Sequence, residues 1–223
     1  MPGSSTQRQP NDATSQAPRL YLTTPAVGGP AEFAPALAEA VKAAEVAAVL
    51  LRLADADERT LINRIKVLAP VVQNAGAALV LDGRPELAAR AGADGAHLNG
   101  IAAFTDAVDG LKPARIAGCG GLPTRHDAML AGERGADYAM FGEPDASGRR
   151  PSFEAIVERV AWWANLFEVP CVAYAANQDE IAALAEAGAD FVAVGDWIWS
   201  DPRGPAAAVA AAAAALKTPE PAA

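Results

Sequence analysis

Arg52, the triplet Asp82-Gly83-Arg84, His97, the pair Gly120-Gly121, the pair Arg149-Arg150 and Asp196 are the residues of this chain best suited to chemistry. Arginine carries a planar fork of donors that fits phosphate or carboxylate. Arg52 therefore reads either as an anion ligand or as half of an ion pair with a neighbouring carboxylate. Gly120-Gly121 offers unshielded backbone N–H groups, which suit an anion-binding nest or, equally, a tight turn. His97 suits a substrate contact or a bond to loop backbone, and His126 reads as solvent-facing. Arg149 and Arg150, with Ser147 in GEPDASGRRPSF, suit an anion or a solvated loop. Cys119 and Cys171 are too few for a disulfide framework and read as reduced, half-buried thiols. With two histidines in the chain, no zinc-ligand spacing occurs.

Composition narrows the partners. Twenty-seven acidic residues face 18 basic ones, a formal charge of −9, and no basic cluster stands out. Nucleic acid and anionic membrane are therefore excluded as expected partners, although a local phosphate site is still allowed. No apolar run reaches the length of a membrane span. AAAVAAAAAALK (206–217) reads as a terminal helix, and a cytoplasmic setting is expected. The 223 residues, 52% hydrophobic, suit one domain with a sizeable core. That domain is placed at 19–216, between a polar tail over 1–18 and a short tail over 217–223.

A repeated triplet reveals the elements that must position these residues. Gly-Ala-Asp occurs at 92–94, 135–137 and 188–190. Each copy follows a stretch with apolar residues at helical spacing: PELAARA, HDAMLAGER and EIAALAEA. A glycine at that point closes the helix in the left-handed conformation. Alanine packs, and aspartate opens a short strand without alternating polarity, as in a parallel sheet buried on both faces. The same rhythm runs through the chain. Strands are expected at 19–24, 46–53, 77–82, 93–98, 114–119, 137–142, 170–175 and 191–196, with helices between and after them.

Eight strands alternating with eight helices predict a single (β/α)8 TIM barrel of the α/β class. A doubly wound open sheet is the alternative, but no GxGxxG follows the first strand. In a barrel, chemistry gathers where strands end and loops begin. The positions so selected are 23–25, 52–55, 82–84, 97–100, 119–122, 142–150, 175–177 and 195–199.

The segments LYLTTP, VLLRL, LVLDGRPELAARAGADGAHLNG, RGADYAMFGEP and EAGADFVAVGDWIW, in that order, resemble thiamine phosphate synthase over roughly residues 19–215. The resemblance implies coupling of an aminopyrimidine diphosphate to a thiazole phosphate, with Mg2+ held by aspartates after the third and fourth strands. Here Gly83 and Ala102 stand at those two places, so Asp82 is the expected metal ligand, with Asp106 further on. The resemblance implies catalytic roles for Arg52, Asp82, Arg84 and His97. It implies phosphate contacts for Gly120, Gly121, Arg149, Arg150, Ala175, Ala176 and Gly195.

Several family positions differ. Leu122 replaces a histidine, Ala175-Ala176 replaces a Gly-Gly pair, and Asp196 replaces a small hydroxyl residue, where a carboxylate repels phosphate. The chain is expected to be a diverged family member with impaired or altered activity. The alternatives are an active transferase with rebuilt ligands, a non-catalytic ligand-binding paralogue, or an isomerase resembling the thiazole tautomerases. That branch reads Asn-Gly-Arg where this chain has Asp82-Gly83-Arg84. With Leu122 at its histidine position, the isomerase needs Cys119 or Asp196 as its base. The expected ligand is a small phosphorylated heterocycle. Trp162, Trp163, Trp197 and Trp199 suggest a homodimer.

Overall fold

The structure, a computed structural model, describes residues 17–217. Apart from Ala17, Pro18 and Lys217, the expected tails lie outside the described residues. Eight strands close into one barrel in chain order. They are β1 (Arg19–Thr23), β2 (Val46–Leu51), β3 (Ala78–Asp82), β4 (Gly95–Asn99), β5 (Ile116–Gly120), β6 (Tyr138–Phe141), β7 (Cys171–Ala175) and β8 (Phe191–Val194). All neighbours are parallel, and β8 meets β1 with Tyr21 opposite Ala193. The closed barrel predicted from the sequence is the fold observed.

Helices cover the outside: α1 (Pro30–Ala43), α2 (Glu58–Gln73), α3 (Pro85–Ala91), α4 (Ile101–Leu111), α5 (Arg125–Glu133), α6 (Phe153–Leu166), α7 (Glu180–Glu186), α8 (Asp196–Trp199) and α9 (Pro205–Leu216). Among the described residues, no helix is long and apolar enough to cross a membrane. The main apolar core lies between strands and helices, and a second cluster around Tyr21, Leu50, Val80, Tyr138, Met140 and Val172 fills the barrel. Period-two alternation separates the two: on β1, Leu20 and Leu22 face the helices, while Tyr21 faces the interior.

The Gly-Ala-Asp triplets act at the entry of the strands. Gly92, Gly135 and Gly188 take φ of +82°, +87° and +97°, which a residue with a Cβ reaches only under strain. Ala93, Ala136 and Ala189 are buried. Each aspartate reaches back to the preceding strand. Asp94 accepts from Leu79 N at 2.7 Å, Asp137 from Ala117 N at 2.8 Å and Asp190 from Cys171 N at 2.8 Å. The carboxylates thus satisfy N–H groups in the first two residues of β3, β5 and β7 and fix strand register at the barrel's floor.

One expectation is corrected. The eighth strand stops at Val194 rather than running to Asp196, and Asp196–Trp199 form an extra helical turn. The indoles explain the turn. Trp197 Nε1 donates to Ala175 O at 3.2 Å, and Trp199 Nε1 donates to Thr23 O at 2.8 Å. With Ile198 fully buried beneath, the turn folds down onto the barrel rim.

Candidate functional site

The mouth of the barrel is built from the last inward-facing residue of each strand and the residue or two after it. Thr23 ends β1, Arg52 follows β2, Asp82 ends β3, His97 and Asn99 close β4, Glu143 follows β6 and Tyr174 stands on β7. They surround a cavity of about 70 Å3. A groove of about 540 Å3 continues from it between the β5 and β6 loops, past Gly121, Arg149 and Arg150.

Arg52 is committed inside the protein. Its Nη2 lies 2.5 Å from Asp196 Oδ1, and its Nε donates to Thr24 O at 2.5 Å. Its backbone N–H donates to Thr24 Oγ1 at 3.0 Å. Arg52 thus forms an ion pair with a rim carboxylate, as one of its two readings expects.

Beneath the mouth, polar groups form a buried chain. Tyr21 Oη and Tyr138 Oη are 2.7 Å apart, and Tyr138 Oη lies 3.0 Å from His97 Nδ1. The imidazole stacks on the Tyr138 ring at 5.7 Å between centroids. His97 thus bonds to a tyrosine hydroxyl, not to loop backbone. Burial pushes it down to about 4, so it is neutral at pH 7. Burial likewise raises the hydroxyls of Tyr21 and Tyr138.

Two glycines make room for this network. A Cβ at Gly118 would lie 2.1 Å from Tyr138 Cζ. One at Gly120 would lie 2.6 Å from His97 Nε2 and 2.5 Å from Glu143 Oε1. The Gly121 N–H donates to Glu143 Oε1 at 2.5 Å, so an internal carboxylate already engages this backbone turn. Burial raises both Glu143 and Asp82 above the usual carboxylate range. Asp82 has one long contact, from Asn99 Nδ2 at 3.5 Å.

The other predicted residues are placed as follows. Arg84 lies outside the cavity, 3.4 Å from Asp55. Arg149 pairs with Asp145 in its own exposed loop. Arg150 straps the loop after β6: it donates to Gly142 O at 3.0 Å, to Tyr174 O at 3.0 Å and to Glu180 at 2.9 and 3.0 Å. Ala175 is fully buried, and Ala176 N donates to Glu180 at 2.8 Å. At Gly195 a Cβ would stand 2.6 Å from Tyr174 Oη.

Cys119 is buried in the outer core and its thiol is pushed up to about 12, which removes it as a base at neutral pH. Asp196 is held by Arg52. Trp163 is core, stacked on Phe167, and Trp199 packs on Phe33. Thr23, Asn99 and Glu143 fall inside the selected strand-end windows but carry no signal of their own in the sequence. Tyr174 precedes its window by one residue. Strand alternation is what brings it to the mouth.

Magnesium asks for oxygen ligands in near-octahedral array. Gly83 has no side chain to offer, and Ala102 is an exposed methyl on the first turn of α4. Asp106 is exposed further along the same helix. Among the described residues, no three His, Cys, Asp or Glu side chains converge on one point. Magnesium is commonly held by one or two carboxylates, with substrate phosphates and water completing the shell. Asp82 and Glu143 are the carboxylates that line the cavity.

The family model described as thiamine monophosphate synthase matches residues 20–198. The chain belongs to the thiamine monophosphate synthase family. A thiamine-phosphate synthase of Rhodospirillum centenum is 44% identical over 195 residues, covering 86% of this chain and 94% of that one. A thiamine-phosphate synthase of Hyphomonas neptunium is 35% identical, covering 86% and 91%. Among solved structures, a thiamine phosphate pyrophosphorylase from Pyrococcus furiosus superposes with a TM-score of 0.73 at 21% identity, covering 89% of this chain and 95% of that one. At that identity the superposition speaks for the fold.

Proposed function

We propose that this chain is a thiamine-phosphate-synthase-type protein of thiamine biosynthesis whose barrel mouth has diverged. It takes a small heterocycle, and its coupling of pyrimidine diphosphate to thiazole phosphate is impaired or altered. One observation carries this reading: the Arg52–Asp196 ion pair across the mouth. Arg52 is the arginine lining the cavity, and its fork already holds a carboxylate of the same chain. A phosphate must displace that carboxylate and then sit beside it. At about 4 Å, like charges cost about 1 kcal/mol in a water-like dielectric, the setting of a carboxylate as exposed as Asp196. The absence of a carboxylate at Gly83 and at Ala102 points the same way, because metal is what turns diphosphate into a leaving group.

The second reading is an ordinary coupling enzyme with rebuilt ligands. It is favoured by 44% identity to a protein named thiamine-phosphate synthase across nearly that protein's whole length. One experiment separates the two. Purified full-length chain is mixed with both heterocyclic substrates and magnesium, and diphosphate release is followed. Turnover well below about 1 per second, the low end for ordinary enzymes, is the outcome expected. Turnover in the ordinary range establishes the second reading and ends the first.

A further inference from the structure

The loop after β6, residues 142–151, forms one wall of the groove that leaves the mouth. Its tip is exposed and satisfies itself. Asp145 N donates to Arg149 O at 2.7 Å, and the Asp145 carboxylate accepts from Ser147 N at 2.8 Å and Arg149 N at 3.0 Å. Its base is held differently. Gly142 leaves β6 with φ of +90°, and Arg150 comes back across it to donate from Nε to Gly142 O at 3.0 Å.

One ion pair fastens that base. The side chains of Arg150 and Glu180 are 18% and 13% exposed. In every other ion pair among the described residues, at least one side chain is more than a third exposed. Glu180 lies on α7, and its Oε2 also accepts from Ala176 N at 2.8 Å, just past the end of β7. Arg150 Nη2 donates to Tyr174 O on β7 at 3.0 Å. The guanidinium thus joins the end of β6 to β7 and α7, with Nε, Nη1 and Nη2 all engaged. A fork bonded on every edge acts as a strut.

Glu143 is what the strut aims. It follows Gly142 directly, and its Oε1 accepts from Gly121 N at 2.5 Å, across the end of β5. Glycine has no Cβ to restrict its backbone, so Gly142 cannot by itself set the direction in which the chain leaves β6. The bond from Arg150 to Gly142 O supplies that restriction.

We propose that Arg150 and Glu180 are positioning residues: their pair fastens the base of the loop after β6 and so holds the Glu143 carboxylate against the Gly121 N–H at the mouth. This replaces the phosphate contact expected of Arg150, because the guanidinium acts on the site only through Gly142 and Glu143. The role is the same whether the chain couples its substrates quickly or slowly. A wall set in place beforehand spares an incoming ligand the entropy of ordering it.

The test reads the Gly121 amide in 1H–15N NMR spectra of labelled full-length protein at pH 7. A short, charge-assisted bond to a carboxylate moves that proton downfield. Glu143→Ala gives the position it takes when the carboxylate is gone. Arg150→Ala and Glu180→Ala are each expected to move it upfield toward that position. Arg150→Lys keeps a cation beside Glu180 but loses the fork, and is expected to fall between parent and Arg150→Ala. Two controls separate positioning from loss of stability. Arg149→Ala removes only the exposed pair in the tip, and Asp137→Ala removes a carboxylate at the floor of the barrel. Both are expected to leave the Gly121 amide at its parent position. Circular dichroism checks that every variant is folded, and Arg150→Lys serves where an alanine variant is not.

A Gly121 amide unmoved by Arg150→Ala and Glu180→Ala overturns the proposal. So does a movement in Arg150→Ala that Glu180→Ala does not share, or an equal movement in Asp137→Ala. The diphosphate-release assay does not bear on these outcomes, so the two readings fail separately.

Discussion

Arg52 and Asp196, 144 residues apart in sequence, meet 2.5 Å apart across the top of the barrel. The arginine leaves β2 and the aspartate opens α8, so the pair ties one side of the rim to the turn that closes it. Its two side chains are 30% and 72% exposed. A pair so wet contributes about 0–1 kcal/mol to stability. Its consequence for a ligand is of the same size: an anion that takes the guanidinium fork gives up that contribution and meets Asp196 beside it.

Asp196→Ser should therefore release Arg52 without unfolding the protein. The melting temperature should stay within about 2–4 °C of the parent, as expected for a loss of 1 kcal/mol or less in a domain of this size. Inorganic phosphate, bound weakly or not at all by the parent, should gain about tenfold in calorimetric affinity, since an arginine–phosphate contact replaces a like-charge encounter. Unchanged phosphate affinity would mean that the pair does not guard the site.

The sequence makes the scaffold legible because the scaffold is made of local rules. Helical spacing, a left-handed glycine and an unbroken apolar run recur with each βα unit, so the Gly-Ala-Asp triplets alone reveal the alternation. The rim is written differently. Asp196 meets Arg52 only after eight strands have closed, and no local pattern links them. Glu143 sits in a loop that reads as polar and solvated, yet the missing Cβ of Gly120 lets it fold back onto the Gly121 N–H. The apolar run FVAVGD predicts a strand to Asp196, but it ends at Val194, where the tertiary bonds of Trp197 and Trp199 override that local preference.

His97 gives the protein a signed acid response. Its folded-state value, about 4, lies below the ordinary 6.5. The unfolded chain therefore takes up a proton that the folded chain refuses, and stability falls as pH drops from about 6.5 toward 4. A gap of this size corresponds to on the order of 3 kcal/mol. Asp82 and Glu143, raised by burial, act in the opposite sense: their contribution grows on acidification. Urea titrations at pH 7 and pH 4.5 should show a smaller acid loss for His97→Gln than for the parent. Equal acid losses would contradict a buried neutral imidazole.

Glycines at the mouth and on the helices should respond oppositely to alanine. At Gly120 the added methyl would press on His97 Nε2 and Glu143 Oε1 at under 3 Å. Overpacking of that kind costs about 1–3 kcal/mol. At Gly132, within α5, the nearest atom to a new Cβ is Trp163 Cη2 at 3.4 Å, an ordinary contact. Alanine there should gain up to about 1 kcal/mol through helix propensity. Thermal melts of the two variants should move in opposite directions, and a shared direction would refute the packing described for Gly120.

The three triplet aspartates should matter for the floor of the barrel and leave the mouth alone. Removing the Asp137 carboxylate orphans Ala117 N and frees Lys112 Nζ, which lies 2.5 Å from Oδ1. An unpaired buried N–H costs about 1–3 kcal/mol. The ion pair adds little, because both side chains are about a third exposed. Asp137→Ala should thus lose about 1–3 kcal/mol, while Asp137→Asn, which still presents an acceptor, should lose well under half of that. In urea titrations the two substitutions isolate the hydrogen bond from the charge. Any diphosphate release measured at the far end of the barrel should stay at the parent value in both, because the floor sets register and the rim holds the site. Equal destabilisation by Ala and Asn would show that charge, and not the bond to β5, is what the third residue of the triplet supplies.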